Sequence, residues 1–182
     1  FEHGPEVAQQ TIAERFVRLD PSAALAAIVK LIPTSNASRR RTFRAALGHL
    51  GRLEEGRKAL HTWLSSQALA VEVSRPESEF APSSSATSGV PSTLATPVPP
   101  PTMAAVPVIE VGRALHEAGL APELAAPLSQ ALTRYTQHGT FDQRWLSAMP
   151  ISTAARAGDA NAQTLLAALV RDPDRYLRLR AI

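Results

Sequence analysis

The chain has 182 residues, 45% of them hydrophobic, which is enough for one domain or two small ones with a buried core. It carries 19 basic and 16 acidic residues, a formal charge of +3, so charge alone selects no class of partner. Cysteine is absent, which excludes disulfides, thiol chemistry and thiolate zinc sites and fits a reducing compartment such as the cytoplasm; no run of eighteen apolar residues is present to span a membrane. Aromatics make up only 5%, while alanine and leucine dominate, a bias that favours helices over strands. The expected fold is therefore all-α.

The first stripe, Ala8, Ile12, Phe16 and Leu19, has helical spacing. In "DPSAALAAIVKLIP", Asp20 is placed to cap a helix and Pro21 to open it. Leu25, Ile28, Val29 and Ile32 mark its apolar face, and Pro33 should stop it. Phe43, Leu47 and Leu50, then Leu60, Trp63 and Leu64, mark two more helices, with Gly51 and Gly56 as expected interruptions. These four helices define an N-terminal module over residues 5–73, read as a small antiparallel array.

From Ser74 to Val106 the chain holds seven of its fifteen prolines, and after Glu79 no charge appears until Glu110. Such a Pro/Ser/Ala/Thr stretch is expected to be a disordered linker over residues 74–106. Within it, "TPVPPPT" is read mainly as spacer, with polyproline-groove recognition as the alternative.

A C-terminal module, expected over residues 107–182 and cut short at its end, begins with Val108, Val111 and Leu115 on a helix closed by Gly119. Leu124, Leu128, Leu132 and Tyr135 follow on one closed by Gly139, and left-handed glycine caps are expected at both stops. A short helix with Trp145, Leu146 and Met149 should end before Pro150. Leu165, Leu166 and Leu169 lie on the next, and Asp172 with Pro173 should cap and start the last.

In "LLAALVRDPDRYLRLRAI" a leucine-rich helix is followed by Asp172, Pro173, Asp174, two residues, Leu177, Arg178, two residues and Ala181. This resembles the inter-helix turn of HEAT-like α-solenoid repeats, and "ARAGDANAQTLLAAL" is similar to a tetratricopeptide helix with small residues for close packing. Either resemblance implies a helical-repeat scaffold and no reaction, although no regular period runs through the chain. The resemblance also implies that Leu177 and Ala181 face a neighbouring helix and that Arg178 serves acidic groups of the turn.

Catalytic signatures are lacking. Histidines 3, 49, 61, 116 and 138 are isolated, and His116–Glu117 has no second histidine at zinc-helix spacing. "GHLGRLEEG" lacks the ending of a phosphate loop, and no nucleophile elbow occurs. Asp142 and Asp159 stand where helix caps are expected, and the neighbours Glu54 and Glu55 point in different directions. No catalytic residue, metal or cofactor is expected.

One charged stretch stands out. "SNASRRRTFRAALGHLGRLEEGRK" carries Arg39, Arg40, Arg41, Arg44, Arg52, Arg57 and Lys58 against two carboxylates. It could meet a phosphate backbone, and its opening is similar to the DNA-contacting helix start of tyrosine recombinases. Trp63, Tyr135 and Trp145 are the aromatic candidates for contact with a protein partner. The expected function is a non-enzymatic interaction scaffold, a fragment of a larger protein; the alternative is association with nucleic acid through the arginine cluster.

Overall fold

Alanine- and leucine-rich sequence makes every element helical in the computed structural model, which describes the backbone over residues 6–73 and 105–181 and side chains over 11–69 and 105–181. The N-terminal segment holds α1 (Glu6–Leu19), α2 (Pro21–Leu31), a short 3-10 helix at Ile32–Thr34, α3 (Ala37–Arg52) and α4 (Glu54–Val73). The C-terminal segment holds α5 (Ala105–Ala118), a 3-10 helix at Pro122–Leu124, α6 (Ala125–His138), α7 (Phe141–Arg156), α8 (Ala160–Val170) and α9 (Arg175–Ala181). The fold is all-α, with two helical segments flanking the proline-rich stretch. Residues 74–104, with the "TPVPPPT" motif, lie outside the described residues, and Ala105 and Val106, expected in the linker, open α5 instead.

Joints between helices are short because single residues break them. Asp20 is extended and its side chain accepts from Ala23 N–H at 2.9 Å, capping α2. Leu53, also extended, is the one residue between α3 and α4. The expected glycine interruptions do not occur: Gly51 lies inside α3, where a Cβ would meet Leu115 at 2.9 Å, and Gly56 sits in the first turn of α4. These glycines serve close packing, as does Gly48, whose added Cβ would stand 2.8 Å from Ala118 of α5.

The helices stack in two layers. α1, α3, α5, α7 and α9 pack each on the next to form one layer, and α2, α4, α6 and α8 form the other; consecutive helices cross between layers. The stack runs through the proline-rich stretch without a break, since α3 packs on α5 and α4 on α6. One apolar core spans the junction, joining Leu47, Leu50, Leu60 and Leu64 with Leu115, Leu124, Leu128 and Leu132, and a small second cluster of Ala148, Leu169 and Ala181 lies at the C-terminal end. Ion pairs tie the same junction in both layers: Arg44 to Glu110 at 2.9 Å, and Arg57 to Glu123 at 2.6 Å.

Five further details depart from the sequence expectations. On α1, Ile12 and Leu19 are 51% and 85% exposed and Phe16 is partly exposed, whereas Ala13 and Val17 are buried. The helix is turned by one residue, about 100°, and sets its smaller side chains against α2 and α3; Ala8's side chain lies outside the described set. Gly119 is left-handed as expected (φ +86°), but Gly139 is extended (φ −72°, ψ 166°). Glycine is needed at 139 because a Cβ would fall 2.1 Å from the Tyr135 carbonyl oxygen.

Pro150 does not stop its helix, since α7 runs on to Arg156. An internal proline costs about 3 kcal/mol, and here its buried ring fits against α5 at Gly112, where a Cβ would meet it at 3.2 Å. The last helix starts two residues later than expected: Asp174 caps it, accepting from Tyr176 N–H at 2.8 Å, while Asp172 accepts from Asp174 N–H and pairs with Arg144 of α7. Leu177 and Ala181 do turn inward, but Arg178 serves the Asp172 and Pro173 carbonyls, at 2.8 and 2.9 Å, not acidic groups.

Candidate binding surfaces

The arginine cluster is divided by the fold. Leu53 ends α3, so Arg57 and Lys58 belong to α4 in the opposite layer. There Lys58 pairs with Glu54 at 3.0 Å and Glu55 at 2.8 Å, which raises its pKa above the usual 10.5 and, in return, lowers that of Glu54. Arg44 is 16% exposed and is spent on α5: beyond its bond to Glu110, its Nε lies 3.4 Å from a Glu117 oxygen. Glu110, at 6% exposed, also accepts from Arg113 at 3.1 Å. Of the rest, Arg39 and Arg40 are half-buried, while Arg41 and Arg52 are exposed.

Two grooves result. One, of about 230 Å³, lies between α1, α3 and α5 and is lined by Glu14, Arg44, Ala45, His49, Arg52 and Glu117. Arg18 of α1 donates to His49 Nε2 at 3.2 Å beside it. The other, of about 470 Å³, lies between α4 and the 3-10 helix before α6, lined by Glu54, Arg57, Lys58, His61, Thr62 and Glu123. Arg57 and Glu123 close part of this second groove with their own ion pair.

The aromatic candidates are mostly absorbed by packing. Tyr135 is buried, and burial raises its hydroxyl pKa above the usual 10.0. Trp63 is half-buried against the shared core. Trp145 is half-buried as well, with Phe141 stacked on it (centroids 5.9 Å apart, 22° between planes) and the Arg180 guanidinium 4.9 Å from its ring centroid. Phe141, Tyr176 and Leu179 are exposed nearby on α7 and α9, and Arg175 lies 5.4 Å from the Tyr176 ring centroid. Arg156, Arg175 and Arg180 lie outside the candidates that the sequence suggests, although the arginine-rich run "RDPDRYLRLR" is a visible signal for the last two.

Buried polar groups serve the framework. Ser129 donates to Asp159 at 2.6 Å, Asp159 caps α8 by accepting from Ala162 N–H at 2.7 Å, and Asn161 donates to Ser129 and Thr133. Asp159 thus caps a helix as expected, whereas Asp142 sits in the first turn of α7, whose cap is Thr140 with Gln143 in a capping box. His116 lies 2.7 Å from Thr153 Oγ1. Burial, then the Arg156 charge, lowers its pKa below the usual 6.5. Among the described residues, no group of three His, Asp or Glu could hold a metal, and no helix is long and apolar enough to cross a membrane. Comparison with protein families, curated proteins and solved structures finds no match, so the reading of these surfaces rests on their own residues.

Proposed function

We propose that the protein is a non-enzymatic interaction scaffold, a HEAT-like stack of helical hairpins that holds a protein partner along its side. The observation that carries this reading is the alternation of layers, each helix packing on the helix two places along and, except between α4 and α5, on its sequence neighbours. Arrays built this way offer long, regular surfaces, and their contacts are local enough for insertions such as residues 74–104 to leave the stacking intact. The D-P-D turn supports it further, because Leu177 and Ala181 face inward and Arg178 ties the turn's carbonyls. The cysteine-free composition suits the cytoplasm.

The test is site-specific photo-cross-linking in the source cells, with the reactive group at Ala45 in the α1–α3–α5 groove or at Thr62 in the α4 groove. A discrete protein adduct from one position and not the other is expected. Adduct-free chain at both positions, in protein that melts cooperatively, would overturn the scaffold reading.

A further inference from the structure

Charge is sorted between the two layers. α3 carries five arginines and no carboxylate, and α9 three arginines and no carboxylate. α1 balances two arginines with two glutamates, α5 has one arginine and two glutamates, and α7 two arginines and one aspartate. That layer therefore holds thirteen arginines against five carboxylates. The other layer holds four basic and three acidic residues across α2, α4, α6 and α8. A mild overall excess is thus concentrated on one side of the stack.

The unpaired part of this charge forms a row. Arg41, Ala45, His49 and Arg52 share one stripe of α3 at helical spacing, and the last three line the groove that Glu117 of α5 borders. Next to Glu117, His116 bonds Thr153 of α7 and feels the charges of Arg156 and Arg180. Arg180 in turn covers Trp145. Arg41, Arg52, Arg156 and Arg175 are exposed, and among the described residues neither they nor Arg180 has a carboxylate within ion-pair distance. Neighbouring helices lie about 8–10 Å apart, so the row from α3 to α9 spans roughly 25–30 Å. A duplex presents one phosphate charge per ~1.7 Å of axis, and arginine forks match phosphate oxygens in pairs.

We propose that the α3–α5–α7–α9 face binds nucleic acid without sequence preference, gripping phosphates through Arg41, Arg52, Arg156, Arg175 and Arg180, with Tyr176 placed to stack an unpaired base. The proposal rests on the two-layer stack, which sets these helices side by side. Nucleic acid fits the face better than a membrane does because the unpaired cations lie on α3, α7 and α9, whereas the exposed apolar side chains stand on the layer's outer helices, Ile12, Phe16 and Leu19 on α1 and Phe141, Tyr176 and Leu179 on α7 and α9, and form no continuous apolar face.

The test is fluorescence anisotropy on the full chain with a mixed-sequence 30-mer as single strand and as duplex, alongside flotation with phosphatidylserine vesicles. Binding to either nucleic-acid probe should weaken with salt, with a log–log slope of about −4 for five arginine contacts. Arg52→Glu with Arg156→Glu should lower affinity at least about tenfold and reduce the slope by ~2, whereas Lys30→Glu with Arg134→Glu on the other layer should change it under about threefold. Tyr176→Ala should weaken single-strand binding about tenfold and spare the duplex. Equal losses from the two charge pairs, binding to vesicles alone, or no salt-dependent binding to either probe would overturn the proposal. Failure with cooperative melting retained sinks this inference alone, whereas loss of that melting would remove the stack beneath it.

Discussion

Glu110→Leu should be among the most damaging single changes to the fold, and the structure says by how much. The Glu110 carboxylate is 6% exposed and accepts from Arg44 at 2.9 Å and Arg113 at 3.1 Å. Removing it leaves the Arg44 guanidinium, 16% exposed, with only the longer ion pair to half-exposed Glu117. Breaking a buried pair typically costs about 3–5 kcal/mol. Glu117 and the partial exposure of Arg44 reduce that to roughly 2–3 kcal/mol, by the same reasoning. Arg44→Leu should cost about 1–2 kcal/mol, because Arg113 still neutralises Glu110.

The double change, Arg44→Leu with Glu110→Leu, should recover to within ~1 kcal/mol of the parent, since two buried charges give way to two apolar side chains. Urea unfolding followed by circular dichroism measures this. With m near 2 kcal/mol/M, Glu110→Leu should move the midpoint down by about 1 M, and added salt should rescue little of it. If the two single losses simply add in the double variant, Arg44 and Glu110 are not energetically coupled. The clamp between α3 and α5 would then be wrong, and with it the continuity of the stack.

Three further outcomes follow from local geometry. Gly119→Ala places a Cβ at φ +86° and should cost about 1–2 kcal/mol, although open space surrounds the position; an unchanged melting temperature would contradict the left-handed cap. Asp159→Ala removes the α8 cap and the bond from the buried Ser129 hydroxyl, which keeps only the Ala126 carbonyl and Asn161 as partners, so a loss of about 1–2 kcal/mol is expected, against a few tenths for Asp142→Ala; equal effects would refute the network. His116 resists protonation in the folded state, so below its usual pKa of 6.5 the unfolded chain binds the extra proton and stability falls as pH drops. Glu117 opposes this shift, while Arg156 and Arg180 reinforce it. Thermal melts at pH 7.5 and 5.5 should show a larger acid loss in the parent than in His116→Gln, and the reverse order would contradict the assigned burial.

Much of the helical order was legible because it rests on local chemistry. Asp20 and Pro21 start α2 through a side-chain cap and a preset backbone angle, and both act within one turn. α1 was not legible, since Ala13 and Val17 offer the same spacing as the larger stripe, and only the surfaces of α2 and α3 select between them. Pro150 misled for the same reason. Its cost is local, but the compensation comes from Gly112, 38 positions away on α5.

The candidate surface was hidden more deeply. Seven basic residues within twenty positions look like one cluster, yet a single extended residue, Leu53, sends Arg57 and Lys58 to the opposite layer, where acidic neighbours neutralise them. The remaining arginines of α3 gain distant companions, because two-layer stacking places α3 beside α5, in a layer that continues through α7 and α9, rather than beside its own continuation. Stacking of that kind depends on how closely helices can approach, and Gly48 and Gly51 permit the approach of α3 to α5. Glycines that look like breaks in a linear reading are therefore what brings Arg52 into line with Arg156 and Arg180. A bulky side chain at Gly48 should disturb the charge row and the core together.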